Sequence, residues 1–338
     1  DVEQVVMGCV LPAGLGQGPA RQAARGAGLP DTAESTTINK LCGSGMKAAI
    51  MATNALRLGE VDIAVAGGME SMSRTPYLLD KARSGYRIGH GRVFDHMFLD
   101  GLEDAYESGR AMGTFAEETA SAYGMTRAAQ DAFAIASLER AKKAIETGAF
   151  DAEIIAVDEC TQDEQPGRAR PEKIPHLKPA FREGGTVTAA NSSSISDGAA
   201  AIVLTRMSVA DRHGLTPLAK VLGQSTHAQK PALFTTAPVF AIRKLLERLD
   251  WTSATPDLYE INEAFAVVTM VAMRELELAH ERVNVNGGAC ALGHPLGCSG
   301  ARIIVTLLAA LRARGGSRGI ASLCIGGGEA TAMAFELV

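Results

Sequence analysis

The pattern of apolar and polar positions predicts alternating strands and helices at both ends of the chain. Short apolar runs bounded by glycine alternate with longer alanine-, leucine- and methionine-rich segments of helical spacing over residues 1–71 and again over 197–338. The first region contains, in order, an extended VVMGCVL, a helix over 19–27, an extended STTINKL, a helix after Gly45 and a strand VDIAVAGG. Strands separated by helices indicate an α/β protein.

Residues 72–196 interrupt this pattern with a more polar, loop-rich segment. They carry the stretch SGYRIGHGRVFDHM, a predicted helix that is capped by Thr126 and ends before Gly148, and the charged TQDEQPGRARPEKIPHLKP. A polar insertion with few apolar runs is where a cover over a substrate is expected, because loops positioned by a rigid scaffold commonly carry binding residues.

An internal repeat links the two α/β regions. GSGMKAAIMATNALRL followed by VDIAVAGGME resembles CSGARIIVTLLAALRA followed by GIASLCIGGGE. Each copy has a Ser-Gly helix start, an apolar helix, a strand and a glycine cluster. This indicates two similar halves with functional groups between them, although glycine-rich turns also resemble one another by chance. The predicted domains are an N-terminal half (1–71 plus 197–216), a loop domain (72–196) and a C-terminal half (217–338).

Composition excludes several classes of partner. The net charge of −5 and the lack of a Lys/Arg-rich block argue against nucleic-acid binding. No apolar run reaches the roughly 20 residues of a membrane span without a charged residue, so no membrane association is expected. Six cysteines without a CxxC pair predict reduced thiols in a cytoplasmic protein, and the start at Asp1 leaves organelle targeting open.

Cys42 is the first candidate for chemistry, since it stands against a Gly-Ser-Gly turn at a predicted helix start. Backbone N–H groups and the dipole at a helix N-terminus stabilise a thiolate, so a lowered pKa is expected. Two alternatives stay open on this motif alone. A free cysteine often packs as a small apolar residue, and Gly43, Gly45 and Ala48 spell the GxGxxA of a nucleotide loop, with Glu60 as a possible ribose-binding acid.

Two partners for this thiol occur in the second half of the chain. His294 lies in a turn of glycine and proline before the second Ser-Gly helix, which is expected to expose its imidazole as a base. Cys324 ends an apolar strand, and the N–H groups of glycines 326–328 after it are suited to an oxyanion hole. A packed strand cysteine is the alternative for Cys324. That packing role is predicted for three other cysteines: Cys9, Cys160 and Cys290.

The motif YEINEAF supplies a further candidate, because polar side chains at the carboxyl end of a strand usually line the ligand crevice of α/β sheets. Asn262 cannot act as a base, but its amide can hold a water that donates to a developing oxyanion. An Asx turn or a helix cap is the alternative for this residue.

The four motifs NKLCGSGMKA, YEINEAF, GHPLGCSGAR and CIGGGEA, in this order, resemble those of the thiolase family, in particular its acetyl-CoA acetyltransferases. The likeness extends through GGMESMS, HMFLDGLEDAY, AMGTFAEETA and TVTAANSSSISDGAAA. It implies the thiolase fold, an α/β fold of two similar βαβ-type halves packed in five layers (αβαβα) with an inserted loop domain. It also implies that the family's first strand and helix, which precede residues like Asp1, are missing here.

The resemblance also implies a mechanism. Cys42, deprotonated by His294, attacks the thioester of one acetyl-CoA. Cys324 removes an α-proton from a second acetyl-CoA, and the carbanion attacks the acyl-cysteine to give acetoacetyl-CoA. One oxyanion is held by His294 with a water on Asn262, the other by the N–H groups of Cys42 and Gly326. No cofactor and no metal are expected, because the coenzyme A thioester is the substrate.

For the acyl-CoA substrate, family position implies that Ser193 contacts the pantetheine arm and that Ala189, Met112 and Phe265 shape the acyl pocket. Ala111 stands where many biosynthetic members carry histidine, which leaves open a degradative 3-ketoacyl-CoA thiolase of broader chain length. A non-catalytic thiolase-like protein that binds acyl-CoA or lipid is a further alternative. A homotetramer, as a dimer of dimers, is expected from the family.

Overall fold

The computed structural model describes all 338 residues, which form ten strands and ten helices. The strands are β1 (Gln4–Gly8), β2 (Glu34–Ile38), β3 (Ile63–Ser71), β4 (Tyr77–Leu78), β5 (Phe94–Asp95), β6 (Asp197–Thr205), β7 (Ala219–Ala228), β8 (Leu258–Ile261), β9 (Arg318–Ile325) and β10 (Glu329–Leu337). The helices are α1 (Pro19–Gly26), α2 (Ser44–Leu58), α3 (Met112–Ala122), α4 (Arg127–Glu146), α5 (Glu164–Arg168), α6 (Met207–His213), α7 (Ala237–Leu249), α8 (Ala266–Glu275), α9 (Ala289–Leu292) and α10 (Leu296–Arg314).

Two four-stranded sheets organise the chain. The first has the order β2-β1-β3-β6, in which β2, β1 and β3 are parallel and β6 is antiparallel to β3. The second has the order β7-β10-β9-β8, in which β8 and β9 are parallel and β10 is antiparallel to both of its neighbours. Both sheets therefore end their parallel part with one antiparallel strand, as expected of two copies of one unit.

The two sheets differ at one edge. Strand β10 pairs with β7 on its outer side, whereas β6, in the corresponding position, has no strand beyond it. Side chains of β6 alternate between exposed and partly buried, and Val203 on this strand is 66% exposed. The missing first strand and helix stay a prediction from the resemblance.

Helices α2 and α10 lie side by side between the two sheets and pack against both. Helix α1 covers the outer face of the first sheet, and α7 with α8 covers the outer face of the second. The resulting order is helix, sheet, helix, sheet, helix. The five-layer fold expected from the sequence is thus confirmed.

The internal repeat explains how α2 and α10 approach each other so closely. A Cβ atom on Gly45 would lie 2.7 Å from the backbone nitrogen of Ala301, and one on Gly300 would lie closer still to Met46. Neither position has a left-handed backbone, so glycine is needed for space alone. The Ser-Gly pair of each copy therefore makes room for the helix start of the other.

Helix α10 is 19 residues long and, by length and composition alone, apolar enough to cross a membrane. Its apolar run is interrupted by Arg302 and Arg312, as expected from the sequence, but these residues do not lower the mean hydropathy of the helix below that of a possible span. In the structure, 67% of its most apolar window is buried inside the protein, between the two sheets. This is the environment of a core helix.

The loop region folds around α3 and α4. Helix α4 begins after Thr126, whose hydroxyl accepts a hydrogen bond from the backbone nitrogen of Ala129 (3.2 Å), and it ends before Gly148, which has a φ of 69°. These bounds confirm the predicted capped helix. Because α4 packs against α8 and α9, the loop region lies against the segment that leads to His294.

All six cysteines are free. Cys9 is buried as predicted, but Cys160 is exposed and Cys290 is partly exposed. The prediction of a buried strand position was wrong for both, because Cys160 lies in a turn and Cys290 lies in the short helix α9.

Candidate active site

Cys42 lies in the turn between β2 and α2, and the turn is held by side chains on both sides of it. Leu41 has a φ of 48°, which is uncommon for a residue other than glycine. Its backbone nitrogen donates to Oδ1 of Asn39 (2.9 Å), and its carbonyl accepts from the hydroxyl of Ser44 (2.7 Å). The same hydroxyl accepts from the backbone nitrogen of Lys40 (2.8 Å). The thiol is thus presented by a strained and well-anchored backbone.

The thiol is not made acidic by the helix start, so that prediction was wrong. Helix α2 begins at Ser44 with Gly43 as its N-cap, so Cys42 precedes the helix. Burial raises the pKa of Cys42, the backbone N–H groups of Gly326 and Cys42 lower it, and the Glu70 carboxylate raises it, with a net pKa of about 11. The resting group is therefore a thiol, which needs a base before it can act as a nucleophile.

His294 is buried rather than exposed as the sequence predicted, because α10 and the first sheet enclose its turn. Its Nδ1 lies 2.5 Å from the hydroxyl of Ser299, which donates its proton to the carbonyl of Pro295 (2.9 Å). Assigned from this network, Nδ1 carries the hydrogen and Nε2 is the free acceptor. Nε2 is buried without a partner. Burial, together with the Arg302 guanidinium, lowers the pKa of His294 to about 3, so the imidazole is neutral.

Cys324 is the residue before last of β9 and is fully enclosed. Burial raises its pKa well above the ordinary value, and the neighbouring Cys42 raises it further. The turn that follows contains Gly327 and Gly328 with φ of 83° and 90°, which only glycine adopts easily. A Cβ atom on Gly326 would lie 3.3 Å from the side chains of both Leu41 and Met112. The second thiol and this turn therefore lie directly against the Cys42 loop.

Asn262 follows β8 at its carboxyl end. Its backbone nitrogen donates to the carbonyl of Ser322 (3.0 Å), while both polar atoms of its side chain are buried without a protein partner. An Asx turn or helix cap needs a side-chain hydrogen bond, so the structure contradicts that alternative. An amide with free donor and acceptor is suited to holding a water.

Glu263 anchors this corner of the site. Its buried carboxylate accepts hydrogen bonds from the hydroxyl of Ser137 (2.7 Å), the amide of Asn284 (2.8 Å) and the backbone nitrogen of Cys290 (3.1 Å). These contacts join the Asn262 segment to α4 and to the short helix that precedes His294.

Glu70, which sequence reasoning missed, connects the halves in a similar way. Its buried carboxylate accepts from the backbone nitrogens of Val10 (2.9 Å), Leu11 (3.0 Å) and Gly297 (2.8 Å). A carboxylate at the first turn of α10 also interacts favourably with the helix dipole. The sequence signal was an acidic residue near the carboxyl end of the otherwise apolar β3.

The predicted substrate contacts lie around the same loops. The hydroxyl of Ser193 donates to the carbonyl of Ala264 (3.1 Å), so only its lone pairs are free for a ligand. Ala189 is exposed, Met112 is partly buried beside Gly326, and Phe265 is buried. The roles of all these site residues stay predictions.

An aromatic cluster beside Phe265 was not predicted. The ring centres of Phe181 and Phe234 lie 6.0 and 6.5 Å from that of Phe265, in edge-to-face arrangements. Phe115 lies 6.1 Å from Phe234. The available sequence signal for this cluster was the presence of isolated phenylalanines in loop segments, since the chain has only 10 phenylalanines. A separate open cavity of about 470 Å³ between α4 and α8 shares no residue with the predicted site.

A five-layer α/β fold with two cysteines and a histidine at the seam of its halves defines a thiolase. In agreement, the chain matches the model of the thiolase N-terminal domain over residues 1–208 and that of the thiolase C-terminal domain over 215–337. The chain belongs to the thiolase family.

Among curated relatives, the chain is 50% identical to acetyl-CoA acetyltransferase 2 of Arabidopsis thaliana, over 100% of this chain and 86% of the relative. It is 49% identical to acetyl-CoA acetyltransferase of Escherichia coli, over 99% and 87%. Among solved structures, it superposes on the Acat5 thiolase of Ascaris suum in complex with coenzyme A with a TM-score of 0.96 and 44% identity, covering 100% of this chain and 88% of that chain.

Proposed function

We propose that this protein is an acetyl-CoA C-acetyltransferase, which condenses two acetyl-CoA into acetoacetyl-CoA and coenzyme A and catalyses the reverse thiolysis. The observation that supports this most directly is the contact between the Cys42 loop and the turn after Cys324, where Gly43 packs against Ile325 and Gly326 against Leu41, while His294 has a free Nε2. The names of the relatives support acetyl-CoA as the substrate.

In the first half-reaction, the Cys42 sulfur attacks the thioester carbonyl while Nε2 of His294 takes the thiol proton. With pKa values of about 11 for the thiol and about 3 for the imidazole, the resting pair is neutral. Proton transfer therefore accompanies the attack instead of preceding it. The N–H groups of Cys42 and Gly326 then stabilise the negative charge on the carbonyl oxygen.

In the second half-reaction, Cys324 takes an α-proton from the second acetyl-CoA. Its raised pKa makes it a strong base once deprotonated, which matches a weakly acidic carbon. Giving its proton to the departing coenzyme A thiolate leaves Cys324 deprotonated for this step. The enolate oxygen is then held by protonated His294 and by a water on Asn262. The enolate carbon attacks the carbonyl of the acyl-cysteine, the C–S bond breaks, and the released Cys42 thiolate recovers its proton from His294.

The acyl group is proposed to be short. The cluster of Phe181, Phe234 and Phe265 beside Met112 supports a narrow pocket. The small Ala111, partly buried next to Met112, favours the alternative of a degradative 3-ketoacyl-CoA thiolase with a longer acyl chain. Methylene groups change binding in an apolar pocket by only about 1–3 kcal/mol each, so chain length is decided by comparing rates.

A homotetramer is also proposed. The segment 77–106 of the loop domain exposes many large apolar side chains in one stretch of chain, which supports an interface there. These are Tyr77, Leu79, Tyr86, Ile88, Val93, Leu99 and Tyr106. Strand β2, at the other edge of the first sheet, has an unpaired outer side, which is a second candidate interface. We further propose that the enzyme needs no cofactor, acts in fatty acid metabolism and is located in the cytoplasm.

The experiment is a brief incubation with acetyl-CoA, an acid quench and peptide mass spectrometry. We expect an acetyl group on the peptide that carries Cys42, with none in a Cys42→Ala variant. Label on Cys324 alone would overturn the assigned roles, and no label on either cysteine would favour the non-catalytic alternative. Thiolysis rates for acetoacetyl-CoA and longer 3-ketoacyl-CoAs then test chain length, and equal rates would contradict the short-chain assignment.

A further inference from the structure

Two loops from opposite halves meet at the reacting sulfur. The Cys42 loop (residues 40–43) precedes α2, and the glycine turn (residues 325–329) joins β9 to β10. A Cβ atom on Gly43 would collide with the side chain of Ile325, so the two loops are in direct contact. Gly326 also packs against the Cys42 loop, since a Cβ atom on it would lie 3.3 Å from the side chain of Leu41.

A charged pair joins the same two loops. The ammonium of Lys40 forms an ion pair with the carboxylate of Glu329. Their side chains are only 23% and 34% exposed, so the pair is partly shielded from solvent. Such a pair stabilises the contact between the two loops more than a fully exposed pair would, because water screens its charges less.

Each partner is fixed to a rigid part of its own half. The backbone nitrogen of Lys40 donates to the hydroxyl of Ser44 at the start of α2 (2.8 Å). Glu329 is the first residue of β10 and pairs in register with Ile325 of β9. The contact between Lys40 and Glu329 therefore constrains the separation of the two loops and does not merely tether flexible ends.

We propose that Lys40 and Glu329 are a positioning pair that holds the N–H groups of Cys42 and Gly326 at the spacing required by the acyl oxygen. This inference rests on the proposed function. The two donors come from different halves, so they converge only if the loops keep one relative position. Each such donor is worth about 10²- to 10³-fold in rate, and a displacement of about 1 Å removes much of that. Neither residue touches the reacting atoms.

The test compares Glu329→Gln with Glu336→Gln. Glu336 pairs with Arg318 (2.7 Å) at the far end of the same β9–β10 hairpin, so the control removes a similar ion pair away from the site. We expect Glu329→Gln to lower kcat about tenfold with KM within about twofold, because positioning acts on the transition state. The Glu336→Gln enzyme should keep wild-type kcat, and thermal unfolding verifies that both variants fold.

A second readout needs no acetyl-CoA. The rate of Cys42 alkylation by iodoacetamide is measured against pH in wild type and in each variant. Displacing the Gly326 N–H from the sulfur removes a group that favours the thiolate, so the midpoint should rise in Glu329→Gln and stay unchanged in Glu336→Gln. In the swapped variant Lys40→Glu with Glu329→Lys, recovery of kcat attributes the effect to the charge pair.

Wild-type kcat together with a wild-type alkylation midpoint in Glu329→Gln would overturn the inference, as would equal losses in the Glu336→Gln control. Failure of the proposed function is a separate outcome. It appears as a wild-type enzyme that acquires no acetyl group on Cys42, whereas the inference alone fails if wild type is acetylated and the variants react alike.

Discussion

The two helix starts at the seam share a Ser-Gly pair, but they present different reactive groups in different ways. In the N-terminal half, Ser44 fixes the backbone carbonyl of Leu41, whose left-handed φ presents Cys42, the proposed nucleophile. In the C-terminal half, Ser299 bonds the side chain of His294 directly. Ser44 thus fixes the backbone of the Cys42 turn, whereas Ser299 fixes the tautomer of the His294 imidazole. In the proposed mechanism, the duplicated scaffold thus presents a nucleophile in one copy and a base in the other.

Substitutions of the two cysteines should have the largest effects, and they test most directly whether the reactive groups have different roles. Cys42→Ser should lose acetyl transfer and condensation together, by at least about 10³-fold, because the hydroxyl is a far weaker nucleophile. Cys324→Ser should still be acetylated on Cys42, slowly, while condensation falls by a similar factor. Quenched-flow labelling beside steady-state condensation measures both steps. Unimpaired condensation in Cys324→Ser would refute its role as the base.

Substitutions of the two serines should have the next largest effects on kcat. Ser299→Ala should lower kcat by about 10- to 100-fold, since the tautomer and orientation of His294 are no longer fixed. Ser44→Ala removes a backbone contact and should cost about 1 kcal/mol of stability with a smaller change in kcat. Urea unfolding and the pH profile of kcat separate the two effects. Ser299→Thr, which keeps the hydroxyl, should recover most of the activity, and no recovery would count against tautomer control.

The two glycines at the helix crossing test whether the halves constrain each other equally. Gly45→Ala and Gly300→Ala should each destabilise the protein by about 1–3 kcal/mol, because the added methyl meets backbone of the other helix. The control is Gly26→Ala in α1, where a Cβ meets nothing within 4 Å. Denaturant titration compares the three, and a neutral Gly45 or Gly300 variant would show that the crossing is looser than described.

His294 and Cys42 should contribute to the pH dependence of stability in opposite senses. The pKa of His294 is lowered to about 3, so the folded state excludes a proton that the unfolded state binds below about 6.5. Its contribution is therefore lost as pH falls from 6.5 toward 3, by up to about 1.4 kcal/mol per pH unit. Cys42, with its pKa raised to about 11, acts in the opposite sense and loses its contribution as pH rises above 9.

Unfolding free energies of wild type, His294→Asn and Cys42→Ala across these two windows provide the measurement. The histidine variant should reduce the slope of the unfolding free energy on the acid side only. The cysteine variant should reduce the slope on the alkaline side only, where other buried cysteines such as Cys324 also contribute. An unchanged acid slope in His294→Asn would contradict the neutral, buried imidazole.

The sequence by itself determined the architecture and the chemical groups of the site. The helix cap at Thr126, the apolar periodicity and the repeated Ser-Gly starts depend on interactions between residues close in the chain, and such signals are legible in a linear sequence. The order of the four motifs was sufficient to identify Cys42, His294, Cys324 and Asn262 as candidates.

Only the tertiary structure decided the protonation states and the supporting contacts. Burial is a property of the whole fold, so the thiol expected to be acidic proved to have a raised pKa, and the histidine expected to be exposed proved to be buried and neutral. Glu70 and the phenylalanine cluster act through space on residues distant in the chain. Such contacts depend on how two sheets and their helices pack, and no local pattern encodes them.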